Sequence, residues 1–228
     1  MMKLLALFLA ATAPAHLEAQ YPTARPSDEY VVAGQDEAGF HQWVAADPER
    51  AARVASYGAY LDSAGVGDVV PTWQLLRTAS DWLKCGQPAF EVPPTELWPS
   101  IVNTLRYAKE QIVPAVGAVD AVSVYRNPYL NSCAGGSARS THRSHFALDL
   151  VPVYPFERGE LMSRLCTVHA RRGRDYSVGL GFYVGLRFHI DSWKYRVWGV
   201  SEAEGGRQCA IALARRENAR ADQPGGTP

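Results

Sequence analysis

Apolar positions in the first half of the chain recur at helical intervals, and after residue 119 they fall into short alternating or continuous runs. Asp47 before Pro48 has the form of an N-cap with proline in the first turn. Val54, Tyr57, Gly58 and Leu61 then keep one helical face, and Gly65 marks the stop. The same spacing predicts a helix over 73–84, with Leu75, Leu76, Ala79, Trp82 and Leu83 inward and Gly86 after its end. Beyond Pro93-Pro94, Trp98, Ile101, Leu105, Ala108 and Ile112 predict a third amphipathic helix.

The period then changes. Residues 121–126 read as a strand, 127–143 as a turn-rich loop, and 147–151 as a second strand ended by Pro152. A helix over 157–172 carries Leu161, Leu165 and Val168 on one face, and strands are expected at 178–184, 187–191 and 196–198. Residues 20–40 have no clear period and read as a loose lead-in. Helices first and clustered short strands later predict an α+β fold: a small antiparallel sheet packed with helices, preceded by an N-terminal helical segment. The divisions expected are an N-terminal extension over 20–90, a domain over 91–212 and a polar, Arg-rich flexible tail over 213–228.

The extreme N-terminus changes the picture of where such a domain works. A short basic start at Lys3, an unbroken apolar run from Leu4 to Ala11, and small residues around Ala13-Pro14-Ala15 and Leu17-Glu18-Ala19 form the layout of a secretory signal peptide over 1–19. The run is too short to span a bilayer, and no later stretch is long and apolar enough to do so. An exported protein, periplasmic or extracellular, is expected. Four cysteines, Cys85, Cys133, Cys166 and Cys209, then point to two disulfides with three pairings open. Lys plus Arg and Asp plus Glu number 23 each, so no global basic field attracts nucleic acid or anionic lipid.

Candidate chemistry lies with the histidines. His16 falls in the signal segment, and His41 has no acidic or Cys partner near it in a metal-ligand pattern; the other four lie between 142 and 189. In a strand over 147–151, Ala147, Asp149 and Val151 share a face, so Asp149 projects toward the loop that carries His142. On another strand, Phe188-His189-Ile190-Asp191 puts His189 and Asp191 on one side. Two imidazoles and a carboxylate from adjoining strands compose an open three-ligand site of the kind that holds Zn2+. On spacing alone, a buried His–Asp hydrogen bond and exposed, unrelated residues are each commoner than a metal site.

The stretch Ser140-Thr141-His142-Arg143-Ser144-His145-Phe146-Ala147-Leu148-Asp149 resembles the Ser-x-His-x-x-Gly-x-Ala-x-Asp motif of the zinc D-Ala-D-Ala carboxypeptidases and related peptidoglycan endopeptidases. Upstream, Ser123-Val124-Tyr125-Arg126, with Asn131 following, is similar to that family's Ser-x-Tyr-Arg strand. Downstream, Gly181-Phe182-Tyr183, His189-Ile190-Asp191 and Arg196-Val197-Trp198 resemble its closing elements. The likeness runs over about residues 95 to 200. It implies His142, Asp149 and His189 as zinc ligands, Arg126 as the group that binds the substrate carboxylate or the developing oxyanion, and Ser140 as a substrate contact. It also implies a metallopeptidase cutting next to D-amino acids in peptidoglycan peptides. Two positions depart from the pattern: His145 replaces the motif glycine, where it either alters the loop or stands as a further polar group near the metal that contacts substrate, and Leu186 stands where many relatives carry a general-base Glu. Asp191 is the candidate base, or else a partner orienting a ligand, with His145 and His169 as further candidates. A non-catalytic zinc-containing wall-binding module of the same fold is the competing expectation, and a metal-free disulfide-held domain a third.

Overall fold

A computed structural model describes residues 24–199, 205–207, 209–211, 213 and 214. The expected signal peptide and the tail beyond residue 214 lie outside the described residues. Helices α1 (Glu37–Ala45) and α2 (Pro48–Ser63) come first, followed by α3 (Trp98–Tyr107), a π-helical turn (Ala108–Ile112) and α4 (Val113–Val116) in one continuous rod. Strands β1 (Val119–Ser123) and β2 (Ala147–Pro152) flank the short helix α5 (Pro128–Cys133), and α6 (Arg158–Arg172) leads to β3 (Gly179–Phe182), β4 (Phe188–Asp191) and β5 (Arg196–Trp198). The fold is α+β.

Local chemistry accounts for most of these elements. The Asp47 carboxylate caps α2 by accepting from the Glu49 and Arg50 N–H groups, with Pro48 inside the first turn. The π turn sits where Pro114, which has no N–H, leaves the preceding turn without its usual partner. The end of the 20–40 segment, read as lead-in, instead opens α1, where Asp36 caps the Gly39 N–H at 2.7 Å. The expected helix over 73–84 is replaced by a single 3-10 turn, Gln74–Leu76, and an extended Arg77. Tertiary bonds outweigh helix propensity there. Thr78 N–H and Ala89 C=O pair, Val124 N–H donates to Arg77 C=O, and the Arg77 guanidinium donates to Gln35 and Ala121 carbonyls.

The sheet runs β1-β2-β4-β3-β5. Its first four strands are antiparallel, while β5 joins β3 in parallel, so the sheet is mixed rather than wholly antiparallel. Leu148, Leu150, Phe188 and Ile190 are fully buried in the core on one face. Burial of each such side chain stabilises by about 1.5–3 kcal/mol. A slip of one residue between β2 and β4 would send either Asp149 or His189 into that core, so the hydrophobic face enforces the register that pairs them.

The core does not divide at residue 90. Tyr57, Leu61, Leu75 and Phe90 belong to the same cluster as Leu148 and Ile190. The cysteines pair Cys85–Cys133 and Cys166–Cys209. Among the described residues no helix is long and apolar enough to cross a membrane.

Candidate metal centre

Asp149 on β2 and His189 on β4 are direct cross-strand partners, so their side chains leave the sheet together on the face opposite the core. His142 arrives from a 3-10 turn, Thr141–Ser144, that His145 ends in the left-handed conformation at φ 55°. The three side chains are buried, and one ligand atom from each lies within 4.8 Å of the others. Asp149 Oδ1 is 3.3 Å from His142 Nε2 and 3.0 Å from His189 Nδ1.

The hydrogen bonds orient both imidazoles for coordination. His142 Nδ1 donates to the Val124 carbonyl at 2.5 Å, leaving the buried Nε2 with no hydrogen-bond partner. His189 Nε2 is 2.9 Å from Asp191 Oδ2, so Nδ1 is the nitrogen turned toward Asp149 and His142. A carboxylate behind a histidine fixes its tautomer and raises its basicity toward a metal. Burial, with Arg126 nearby, pulls His142 down to about 4, which keeps it neutral and able to ligate. Burial also opposes charge on His189, but its bonds to Asp149 and Asp191 outweigh this and raise it. Asp149, despite burial, is held well below the usual carboxylate range by His142, His189 and Arg126. The buried His142–Asp149–His189 group can therefore hold a metal ion.

Two glycines make room for the support. A Cβ at Gly179 would lie 2.5 Å from both Arg196 Nη1 and Asp191 Oδ2, and one at Gly181 would overlap the Trp198 ring. With glycine at both, Arg196 reaches Asp191 at 2.6 Å and Trp198 covers His189 with ring centroids 5.2 Å apart.

No known family model, curated protein or solved structure matches the chain.

A cleft of about 620 Å³ opens on this cluster. His142, His189, Arg126 and Ser140 all line it. Arg126 donates to Asp149 Oδ2 at 2.7 Å and to Ser123 Oγ at 2.9 Å, so it steadies a ligand carboxylate while facing the cleft. Other expected residues are placed elsewhere. His145 is fully buried, its Nε2 2.9 Å from the Tyr57 hydroxyl, and it does not reach the cleft; it packs the interior instead of contacting a ligand. Asp191 is also fully buried, engaged by His189, by both Arg196 Nη atoms and by the Trp193 N–H. These contacts are those of a positioning residue and leave no free oxygen for a base. His169 bonds the Val178 carbonyl and stacks on Tyr195, with burial lowering its pKa. Leu186 packs against the core.

Other cleft residues carry no site role in the sequence. Tyr183, marked there only as part of the Gly181-Phe182-Tyr183 element, lines the cleft, its hydroxyl pushed up by burial and by the Asp149 charge. Arg187 lines it too, two residues before His189, and the two-residue alternation that unites His189 with Asp191 extends to it. Tyr30, Ser80 and Asp81 come from far upstream, and no local pattern marks them.

Proposed function

We propose that this is an exported zinc metallopeptidase that hydrolyses peptide bonds next to D-amino acids in peptidoglycan stem peptides or cross-links. The observation that carries the reading is the buried, unpartnered His142 Nε2 facing Asp149 and His189. Ligand atoms about 2.1 Å from a tetrahedral zinc stand about 3.4 Å apart, and the 3.0 and 3.3 Å spacings around Asp149 Oδ1 fit that arrangement. Two nitrogens and one oxygen form a donor set that leaves a tetrahedral ion one open position. The substrate assignment rests on the ordered likeness of the Ser140–Asp149, Ser123–Arg126 and His189–Trp198 segments to the zinc D-Ala-D-Ala peptidases. Paired cysteines and the N-terminal apolar run are compatible with export.

Zinc bound here supplies a Lewis acid that polarises a scissile carbonyl and makes water a better nucleophile. His142, Asp149 and His189 hold it, and Asp191 with Arg196 keeps His189 turned toward it. Arg126, with its side chain 14% exposed, presents guanidinium to the cleft, where it stabilises negative charge developing on the carbonyl oxygen. The Tyr183 phenol also lines the cleft and stays protonated at neutral pH, because burial and the Asp149 charge oppose its ionisation.

A second reading, a zinc-containing wall-binding module without turnover, is favoured by one observation. With Leu186 at the position of the usual Glu and Asp191 engaged, Asp81 is the one carboxylate lining the cleft outside the metal group among the described residues. Metal analysis of the purified chain, together with a muropeptide digest read by mass spectrometry, separates the two. Zinc at one equivalent with new cleavage products is the expected result; zinc without products establishes the binding module, and a chain that takes up no zinc overturns both.

A further inference from the structure

We infer that Arg187, clasped between Tyr183 and Tyr30, is the receptor for a carboxylate of the peptide in the cleft. This rests on the reading that the cleft takes stem peptides. Four arginines line the cleft: Arg126, Arg139, Arg187 and Arg196. Arg126 is paired with Asp149, and Arg196 with Asp191. Neither Arg139 nor Arg187 has an acidic partner among the described residues, but Arg139 is exposed to solvent, whereas Arg187 is half-buried and its Nε is buried without a hydrogen-bond partner. A single N–H shut away from water and left unmatched on a guanidinium that otherwise faces the cleft is costly to keep, unless a ligand supplies the match.

The guanidinium is also held in place. Its carbon lies 4.0 Å from the Tyr183 ring centroid and 5.7 Å from that of Tyr30. Two aromatic faces restrain a planar cation and reduce the entropy lost when it binds. A guanidinium presents parallel N–H groups that match the two oxygens of a carboxylate. Arg187 precedes β4 by one residue, so this receptor and His189 lie on one wall of the cleft.

Tyr30 gives the segment before residue 90 a part in recognition. Its hydroxyl accepts from the Leu186 N–H at 2.9 Å and sits where a Cβ at Gly185, φ 73°, would project. The turn between β3 and β4 is thereby locked against the N-terminal segment, with Arg187 beneath the ring.

The test uses the zinc-loaded full chain, labelled with 15N, and follows the Arg187 Nε–H resonance. The probes are N-acetyl-D-alanine, with a terminal carboxylate only, N-acetyl-D-isoglutamine, with a side-chain carboxylate only, and N-acetyl-D-alaninamide, with none. At least one acid is expected to shift the resonance saturably and to bind about ten-fold or more tighter than the amide; the acid that does so identifies which carboxylate is read. Arg187→Gln removes the preference without changing zinc content. Should that variant fail to fold, Tyr30→Leu keeps the guanidinium, strips one ring, and weakens acid binding about three-fold or more. Equal binding of acids and amide, an unmoved Arg187 resonance, or a preference that survives in both variants overturns the inference. Muropeptide hydrolysis is measured in parallel. Acid preference without hydrolysis sinks the peptidase reading alone, and hydrolysis without acid preference sinks the carboxylate receptor alone.

Discussion

The floor and the rim of the cleft are built by different means. The floor is sheet: Asp149 and His189 are cross-strand partners, and a register enforced by Leu148 and Ile190 holds them together. The rim is assembled from remote pieces, Tyr30, Ser80 and Asp81 together with residues 134–137, 139 and 140. Metal-binding geometry thus depends on alternation within strands and on the adjoining turn that carries His142, whereas the shape offered to a ligand depends on closure between distant segments. The two are separable by mutation.

The sharpest break falls on the floor. Replacing His142 with Ala removes one of three ligands, and metal affinity is expected to drop by at least about 100-fold, read by competition with a chromogenic chelator. Unchanged affinity would mean that the three side chains do not act together. The rim is broken instead by Cys85→Ser with Cys133→Ser. That disulfide spans 48 residues and ties the segment after Asp81 to α5. Its loss is expected to lower stability by about 2–5 kcal/mol in chemical denaturation, with little change in metal affinity of the folded protein. A parallel fall in affinity would show that floor and rim are mechanically one.

Asp191→Asn acts from behind the floor, at the carboxylate that holds His189. It leaves every ligand in place but weakens the hold on His189, and a loss of about 10- to 100-fold in metal affinity is expected. A much smaller loss would leave Asp191 a role in packing only.

The smallest effect concerns His145. Burial pushes its pKa down to about 3, whereas an unfolded histidine titrates near 6.5. The unfolded chain binds the extra proton first, so the stabilisation is complete above about pH 6.5 and is lost as pH falls toward about 3. His145→Asn, which tolerates the left-handed backbone, should give a thermal midpoint that varies less between pH 7 and 4.5 than the parent's, both in the same metal state. Equal slopes would place the acid sensitivity elsewhere.

Legibility in the sequence follows the same division. Alternation in Ala147–Val151 and Phe188–Asp191 carries the floor directly, because side-chain direction in a strand is set residue by residue. The Asp47–Pro48 cap of α2 is equally local. The 73–84 segment is not: its apolar spacing is helical, yet Arg77 is drawn into an extended path by carbonyls of Gln35 and Ala121. Tyr30 meets Leu186 across 156 positions, a contact that no window of neighbouring residues contains. The parallel placement of β5 depends on Gly179 and Gly181 leaving space for side chains that come later in the chain, and spacing alone does not disclose such a vacancy.

Those glycines also impose an order in time. A chain emerging from its N-terminus presents His142, Asp149 and His189 before Arg196 and Trp198 exist to brace them. All three ligands are therefore made before their scaffold is complete. A chain cut after Asp191 should keep the full donor set yet coordinate poorly, since the clamp on Asp191 and the cover over His189 are the last parts delivered.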